Sequence, residues 1–164
     1  MENATLAGAT AADWLWSPPK MRWRRVYPGR IDQVRQARDF AETLFKGAPC
    51  VDVVALAVSE LAANAVRHTL SGERVDGWFG LEVVYDNPAY IAVTDMGGHG
   101  IPTVLPEGYG SPYNESGRGL RTLYELAQVF GVHGNSTHGH TVWVHLDANR
   151  KLEADLEAFV RSVS

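Results

Sequence analysis

The chain carries a single cysteine, Cys50, in 164 residues. One thiol excludes an internal disulfide and a zinc site built on cysteines. No apolar stretch is long and pure enough to span a bilayer. The N-terminus has no basic region followed by an apolar core, so no signal peptide is expected. An excess of positive charge is missing too. The net charge is -4, which argues against a general nucleic-acid binder. A cytoplasmic protein, with no membrane and no direct nucleic-acid partner, is the default expectation. Apolar content, by contrast, is ample. Hydrophobic residues make up 45 %, enough for a real core and too many for disorder, and the length is that of one domain.

The stretch Ser59-Glu60-Leu61-Ala62-Ala63-Asn64-Ala65-Val66-Arg67-His68 organises the rest. It lies in an apolar run that starts near Val51 and is too long for a typical strand. Val54, Val58, Leu61 and Ala65 form one helical stripe. Glu60, Asn64, Arg67 and His68, at i, i+4, i+7 and i+8, share another face. A largely buried helix has little reason to carry a carboxylate and an amide one turn apart unless they meet something polar. On spacing alone, the wet side of an amphipathic helix is an adequate account.

Residues 1–20 read as a partly flexible tail, with Trp14 and Trp16 packing on the domain or on a partner. Residues 21–27 read as a strand whose three arginines suit a solvated edge. Residues 30–46 read as an amphipathic helix with Ile31, Val34, Ala37, Ala41, Leu44 and Phe45 on its apolar face. Pro49 then opens the central helix, which is expected to run to about Leu70, with Ser71-Gly72-Glu73 as a loop. Two strands, 78–85 and 90–94, flank the turn Asp86-Asn87-Pro88. The second runs into Asp95-Met96-Gly97-Gly98-His99-Gly100. A carboxylate at a strand end followed by glycines suits a ligand contact, because glycine lets backbone approach closely. It also suits a plain turn in which Asp95 bonds its own backbone.

Residues 100–116 hold no periodic pattern, which for a segment of this length suggests a lid or disorder. They lead to Gly117-Arg118-Gly119-Leu120 and a helix with Leu120, Leu123, Ala127 and Phe130 on one face. Glycines at a helix mouth leave backbone N–H groups free for an anion. Strands are expected at 132–134 and 140–146 around Asn135-Ser136-Thr137. His133, His138 and His140 have no cysteine or acidic partner at ligand spacing, so no metal site is expected there. The last stretch, 149–164, reads as a helix that packs on the domain or on a second subunit, which leaves a homodimer open.

Glu-x-x-x-Asn on a helix, Asp-x-Gly-Gly at a strand end and Gly-Arg-Gly-Leu before a helix stand in a set order. Together they resemble the nucleotide site of the histidine-kinase-like ATPase superfamily, also called the Bergerat fold or GHKL. The resemblance covers residues 26–146, within a domain of residues 21–148. The form Ser-Glu-Leu-x-x-Asn-Ala looks most like the branch of anti-sigma-factor serine/threonine kinases. The implied fold is an α/β two-layer sandwich with a mixed, mostly antiparallel sheet on one side and helices on the other. The implied cofactors are ATP and Mg²⁺. By matched position, Asn64 would coordinate Mg²⁺ between the phosphates, and Glu60 would be the catalytic group that polarises or deprotonates the attacking hydroxyl. Asp95 would accept from the adenine amino group, supported by Thr141, and Gly97 and Gly98 would let the base approach. Gly117, Arg118, Gly119 and Leu120 would close on the phosphates. His68 could face a phosphate or make a structural hydrogen bond. The implied partners are a sigma factor and a small regulatory protein of the anti-anti-sigma type.

The pattern departs from the family at one place. Its second box usually reads Asp-x-Gly-x-Gly, and His99 stands here at the last glycine position. No phospho-acceptor helical hairpin precedes the domain in this sequence, so a whole sensor histidine kinase is not expected. The expected activity is transfer of the ATP γ-phosphate to a small antagonist protein. The alternative is a non-catalytic switch in which ATP binding alone remakes a partner surface.

Overall fold

A computed structural model describes residues 21–98 and 115–152, with the backbone alone described at 115–118. The expected N-terminal tail, His99, most of the glycine- and proline-rich segment and nearly all of the expected C-terminal helix lie outside the described residues.

Five strands form one sheet: β1 (Arg22–Pro28), β2 (Trp78–Val84), β3 (Ala89–Thr94), β4 (Val129–Asn135) and β5 (Gly139–Leu146). Their spatial order is β1-β2-β3-β5-β4. Every pairing among the described residues is antiparallel, so the sheet has no parallel pair where a mixed one was expected. Period-2 alternation explains which side each strand buries. Phe79, Leu81 and Val83 of β2, Ile91 and Val93 of β3, and Val142, Val144 and Leu146 of β5 are buried. Thr141, Trp143 and His145 stand on the other face and are only half-buried. Strand β1 is an edge, as its arginines suggested, and Arg22 and Arg24 both pair with Glu82 of β2. The turn between β2 and β3 contains a cis Asn87–Pro88 peptide.

The helices cover one face. They are α1 (Ile31–Leu44), α2 (Val51–His68), the short α3 (Leu70–Glu73) and α4 (Glu115–Leu126). Helix α2 packs against α1, α4, β2, β3 and β5. That central position explains why burial spreads beyond its expected stripe. Val54, Val58, Leu61 and Ala65 are buried, and so are Val53, Leu56, Ala57 and Ala62. Each large aliphatic side chain taken fully out of water here contributes about 1.5–3 kcal/mol. No helix among the described residues is long and apolar enough to cross a membrane.

Three expected boundaries move, each for a local reason. Helix α2 stops at His68 because Thr69 turns extended, at φ -136° and ψ 172°. The Thr69 hydroxyl donates to the Ala65 carbonyl at 2.6 Å and accepts from the Ser71 N–H at 3.1 Å. One side chain thereby closes α2 and caps α3, so residues 71–73 are helical rather than a loop. Helix α4 stops at Leu126, and Phe130 belongs to β4. The Gln128 N–H has already joined the His145 carbonyl at 2.9 Å. In α1, Ile31 is exposed and Gln33 takes a buried place at the first turn.

Candidate functional site

Glu60 and Asn64 lie half-buried on α2, while Arg67 and His68 are exposed at its C-terminal end. The last two positions suit cations, because the helix dipole is negative there. Burial pushes the Glu60 carboxyl up from the ordinary glutamate range, and the charge of Arg67 pulls it part of the way back. A carboxyl raised in this way is a better proton acceptor than a fully solvated one.

Helix α4 reaches the same place. A Cβ built on Gly119 would fall on the Glu60 carboxylate. Only a residue without a side chain lets the α4 backbone come this close. Leu120, the next residue, is buried in the core. The structure therefore brings Gly119 of the expected phosphate loop onto the expected catalytic group.

Asp95 follows β3 and is 3 % exposed. Its Oδ1 accepts from the Gly97 N–H at 2.6 Å and from the His140 N–H at 3.1 Å. The local turn and the site are thus the same feature: the backbone bonds hold one oxygen and fix the carboxylate plane. Oδ2 has no partner among the described residues, which leaves an oriented acceptor for a ligand N–H.

The residues after Asp95 are clamped from two sides. The Leu70 N–H donates to the Gly97 carbonyl at 2.8 Å, and the Met96 N–H donates to Ser71 Oγ at 3.0 Å. On the other side the Gly98 N–H donates to the Ser136 carbonyl at 2.8 Å. Gly97 has φ +74°, and a Cβ there would run into that same carbonyl. A side chain would be strained in its own backbone and would part the loop from the β4–β5 turn. Gly98 packs on the Leu70 side chain.

Thr141 stands elsewhere. Its hydroxyl is 2.8 Å from that of Thr94, and both side chains line a cleft of about 530 Å³ with Arg22, Arg24, Tyr90 and His133 on the open face of the sheet. The β5 side chain beside Asp95 is His140, with Nδ1 3.5 Å from Oδ1. In the sequence His140 stands out only as one of three neighbouring histidines, a weak metal signal. Its usable signal was the alternation His140, Val142, Val144, Leu146, which puts the ring on the core face.

The fit of a nucleotide and a metal ion is judged from the donors and acceptors present. A locked carboxylate with one open oxygen suits a base amino group. An amide oxygen on α2 suits Mg²⁺, which takes oxygen ligands and keeps several waters. A glycine at the approach of α4 suits close passage of backbone. The donor set fits a magnesium-bound nucleotide.

Comparison with known proteins bears on the family. No curated protein matches the chain. The family model described as histidine kinase-like ATPase domain matches residues 27–146, from the last part of β1 to the end of β5. That span takes in Glu60, Asn64, Asp95, Gly119 and His140, and the chain belongs to the histidine kinase-like ATPase family.

Proposed function

We propose that this protein is an ATP-dependent regulatory serine/threonine kinase that transfers the γ-phosphate to a small antagonist protein and answers to a sigma factor. The observation that carries the reading is Glu60. It is a half-buried carboxyl with raised proton affinity, one helical turn from the amide that would hold Mg²⁺. An ATPase module that only binds nucleotide has no need of a base at this point. When bound, Mg-ATP supplies the transferable phosphoryl group and the charge that offsets its negative oxygens.

The chain's own residues divide the remaining work. Asp95 Oδ2 holds the base. Asn64 orients the metal. Gly119 lets the α4 backbone come down on the phosphate end. Glu60 takes the proton of an incoming serine or threonine hydroxyl, a poor nucleophile at neutral pH. A placed base is worth typically about 10²–10⁴-fold in such a step. Phosphoryl transfer otherwise needs positioning and charge neutralisation more than covalent chemistry.

One observation favours the switch reading. The α4 backbone at Gly119 rests on Glu60, and in that arrangement an acceptor hydroxyl has little room to reach the carboxylate. A protein that used nucleotide only to set the position of α4 would keep this contact. Transfer of labelled γ-phosphate to a co-purified partner, by wild type and by Glu60→Gln and Asn64→Ala, separates the two. The kinase reading expects transfer by wild type, loss of at least about 100-fold in Glu60→Gln with ATP affinity kept, and loss of binding and transfer together in Asn64→Ala. A wild type that binds ATP and its partner but never labels it is a switch.

A further inference from the structure

The helices cover one face of the sheet, and the described residues leave the other face open. A sheet face turned to water is ordinarily polar. This one is largely apolar. Val26 of β1 is 66 % exposed, Val129 of β4 45 % and Trp78 of β2 37 %. Beside them Tyr90, Trp143 and His145 form a cluster of rings with centroids 5.3–6.2 Å apart. Exposed apolar side chains gathered on one surface mark a place of contact.

The face is also grooved. Val26, Gly80, Thr94, Thr141 and His133 are successive ladder partners and make one row across all five strands. Strand spacing makes that row roughly 19 Å long. Gly80 has no side chain and Ala92, one row along, a short one, so the floor is low between Trp78 and Tyr90. The resulting cleft of about 530 Å³ is the one that holds the Thr94–Thr141 hydroxyl pair. Pockets that bind small ligands are of this size. At the β1 rim, Arg22 and Arg24 share the single carboxylate of Glu82, which leaves one positive charge uncompensated.

We propose that the chain's own residues 13–16, Asp-Trp-Leu-Trp, dock in this groove, with Trp14 and Trp16 seated on its floor. Residues i and i+2 of an extended segment point the same way, so the two indoles meet one surface together. The segment leads directly into β1, which forms a wall of the groove. Trp16 stands six residues before Arg22, a reach of up to about 20 Å. The Val26 row lies about 13 Å along β1 from Arg22. A reversal at Ser17-Pro18-Pro19, a turn-forming run, therefore brings Trp16 over that row. Asp13, next to Trp14, supplies the acid that the arginine rim lacks. A second copy of this face does not, because the one acid lining the groove among the described residues is Glu82, already paired. A separate partner must also displace a segment tethered at the rim, whose effective concentration is of order millimolar. The groove lies on the face away from Glu60, Asn64 and Asp95, so the docking does not depend on the nucleotide reading.

Labelling the full chain with 5-fluorotryptophan puts a probe at Trp14, Trp16, Trp23, Trp78 and Trp143. Single substitutions to phenylalanine assign the fluorine signals. In the wild type, the Trp14 and Trp16 signals should stand away from that of free 5-fluorotryptophan at every protein concentration, with a reduced H₂O/D₂O shift. Gly80→Phe fills the groove. A Cβ on Gly80 meets Trp78 at 3.5 Å and Thr94 at 3.9 Å, ordinary contact, so the strand should accept it. Both signals should then move to the solvent position. In reverse, Trp14→Ala/Trp16→Ala should move the Trp78 signal and lower Tm by several degrees. Trp14 and Trp16 signals at the solvent position in the wild type overturn the docking. Signals that stay shifted in Gly80→Phe do so too, and place the tryptophans elsewhere. If Gly80→Phe does not fold, the double alanine variant decides, and an unmoved Trp78 signal overturns the inference. Protection that appears only as the protein dimerises gives the groove to a second copy and overturns it as well.

Discussion

The backbone of Gly119 and the carboxylate of Glu60 occupy adjoining space with no room for a methyl group between them. The two residues come from different helices and are far apart in sequence. Their contact ties the entry of α4 to the middle of α2.

Gly119→Ala tests that tie. The obstructing atoms are the far end of a flexible side chain, which can swing aside at little cost. Alanine is also favoured over glycine inside a helix by roughly 1 kcal/mol. Global stability should therefore stay within about 1 kcal/mol of wild type. Glu60, displaced toward water, should titrate closer to the ordinary glutamate range when followed by carboxyl NMR. An unchanged titration would mean that the carboxylate does not lie beneath α4.

Glu60→Gln carries a stability signature independent of any catalytic role. Burial raises the folded-state pKa of Glu60 above its ordinary value of 4.5. The folded state therefore binds the proton more tightly than the unfolded state. Stability from this group is fully present below the unfolded pKa and is lost as pH rises through the folded pKa. At pH 7 the wild type bears that loss and the glutamine variant does not. The variant should melt a few degrees higher at neutral pH, and its advantage should shrink as the pH falls through the raised folded-state pKa toward 4.5, and be gone below that value. Parallel melting curves across this range would show that Glu60 is not buried in the folded protein.

Asp95→Asn separates the two jobs of one carboxylate. The amide oxygen can still accept from the N–H groups of Gly97 and His140, so the turn should survive. The amide nitrogen then faces the ligand where an acceptor is needed. Loss of a charged hydrogen bond of about 1.5–3 kcal/mol corresponds to roughly 10–150-fold weaker ADP binding. Calorimetry on the folded variant reads this directly. Full-strength binding would place the base elsewhere.

Much of this arrangement is legible in the sequence because burial follows simple periods. Alternation in residues 78–84 and 140–146 gives both strands and their buried faces. The spacing of Val54, Val58, Leu61 and Ala65 gives the central helix. What the sequence hides is competition between local bonds. The apolar pattern runs on through Leu70, yet the Thr69 hydroxyl finds the Ala65 carbonyl and α2 ends at His68, two residues earlier. Phe130 sits at helical spacing from Leu123 and Ala127, yet the ladder with β5 claims it. Strand order is also non-local. The adjacency of β3 and β5, which sets His140 rather than Thr141 beside Asp95, depends on a pairing across some fifty residues and on which face each side chain takes.

The turn at Thr69 gives the cleft a fixed gauge. Asn64 stands four residues before the end of α2, about 6 Å along its axis. Directly after that end, the Leu70 N–H is fastened to the Gly97 carbonyl, two residues from Asp95. The interval between Asp95 and Asn64 is thus set by rigid helix and short backbone bonds, before any ligand enters. Such a cleft measures length. With the roles proposed for these residues, adenosine or AMP would satisfy Asp95 yet leave Asn64 with nothing to hold, while a chain of phosphates would span both ends. On the proposed reading, the number of phosphates would be selected by the backbone, separately from the chemistry that selects the base.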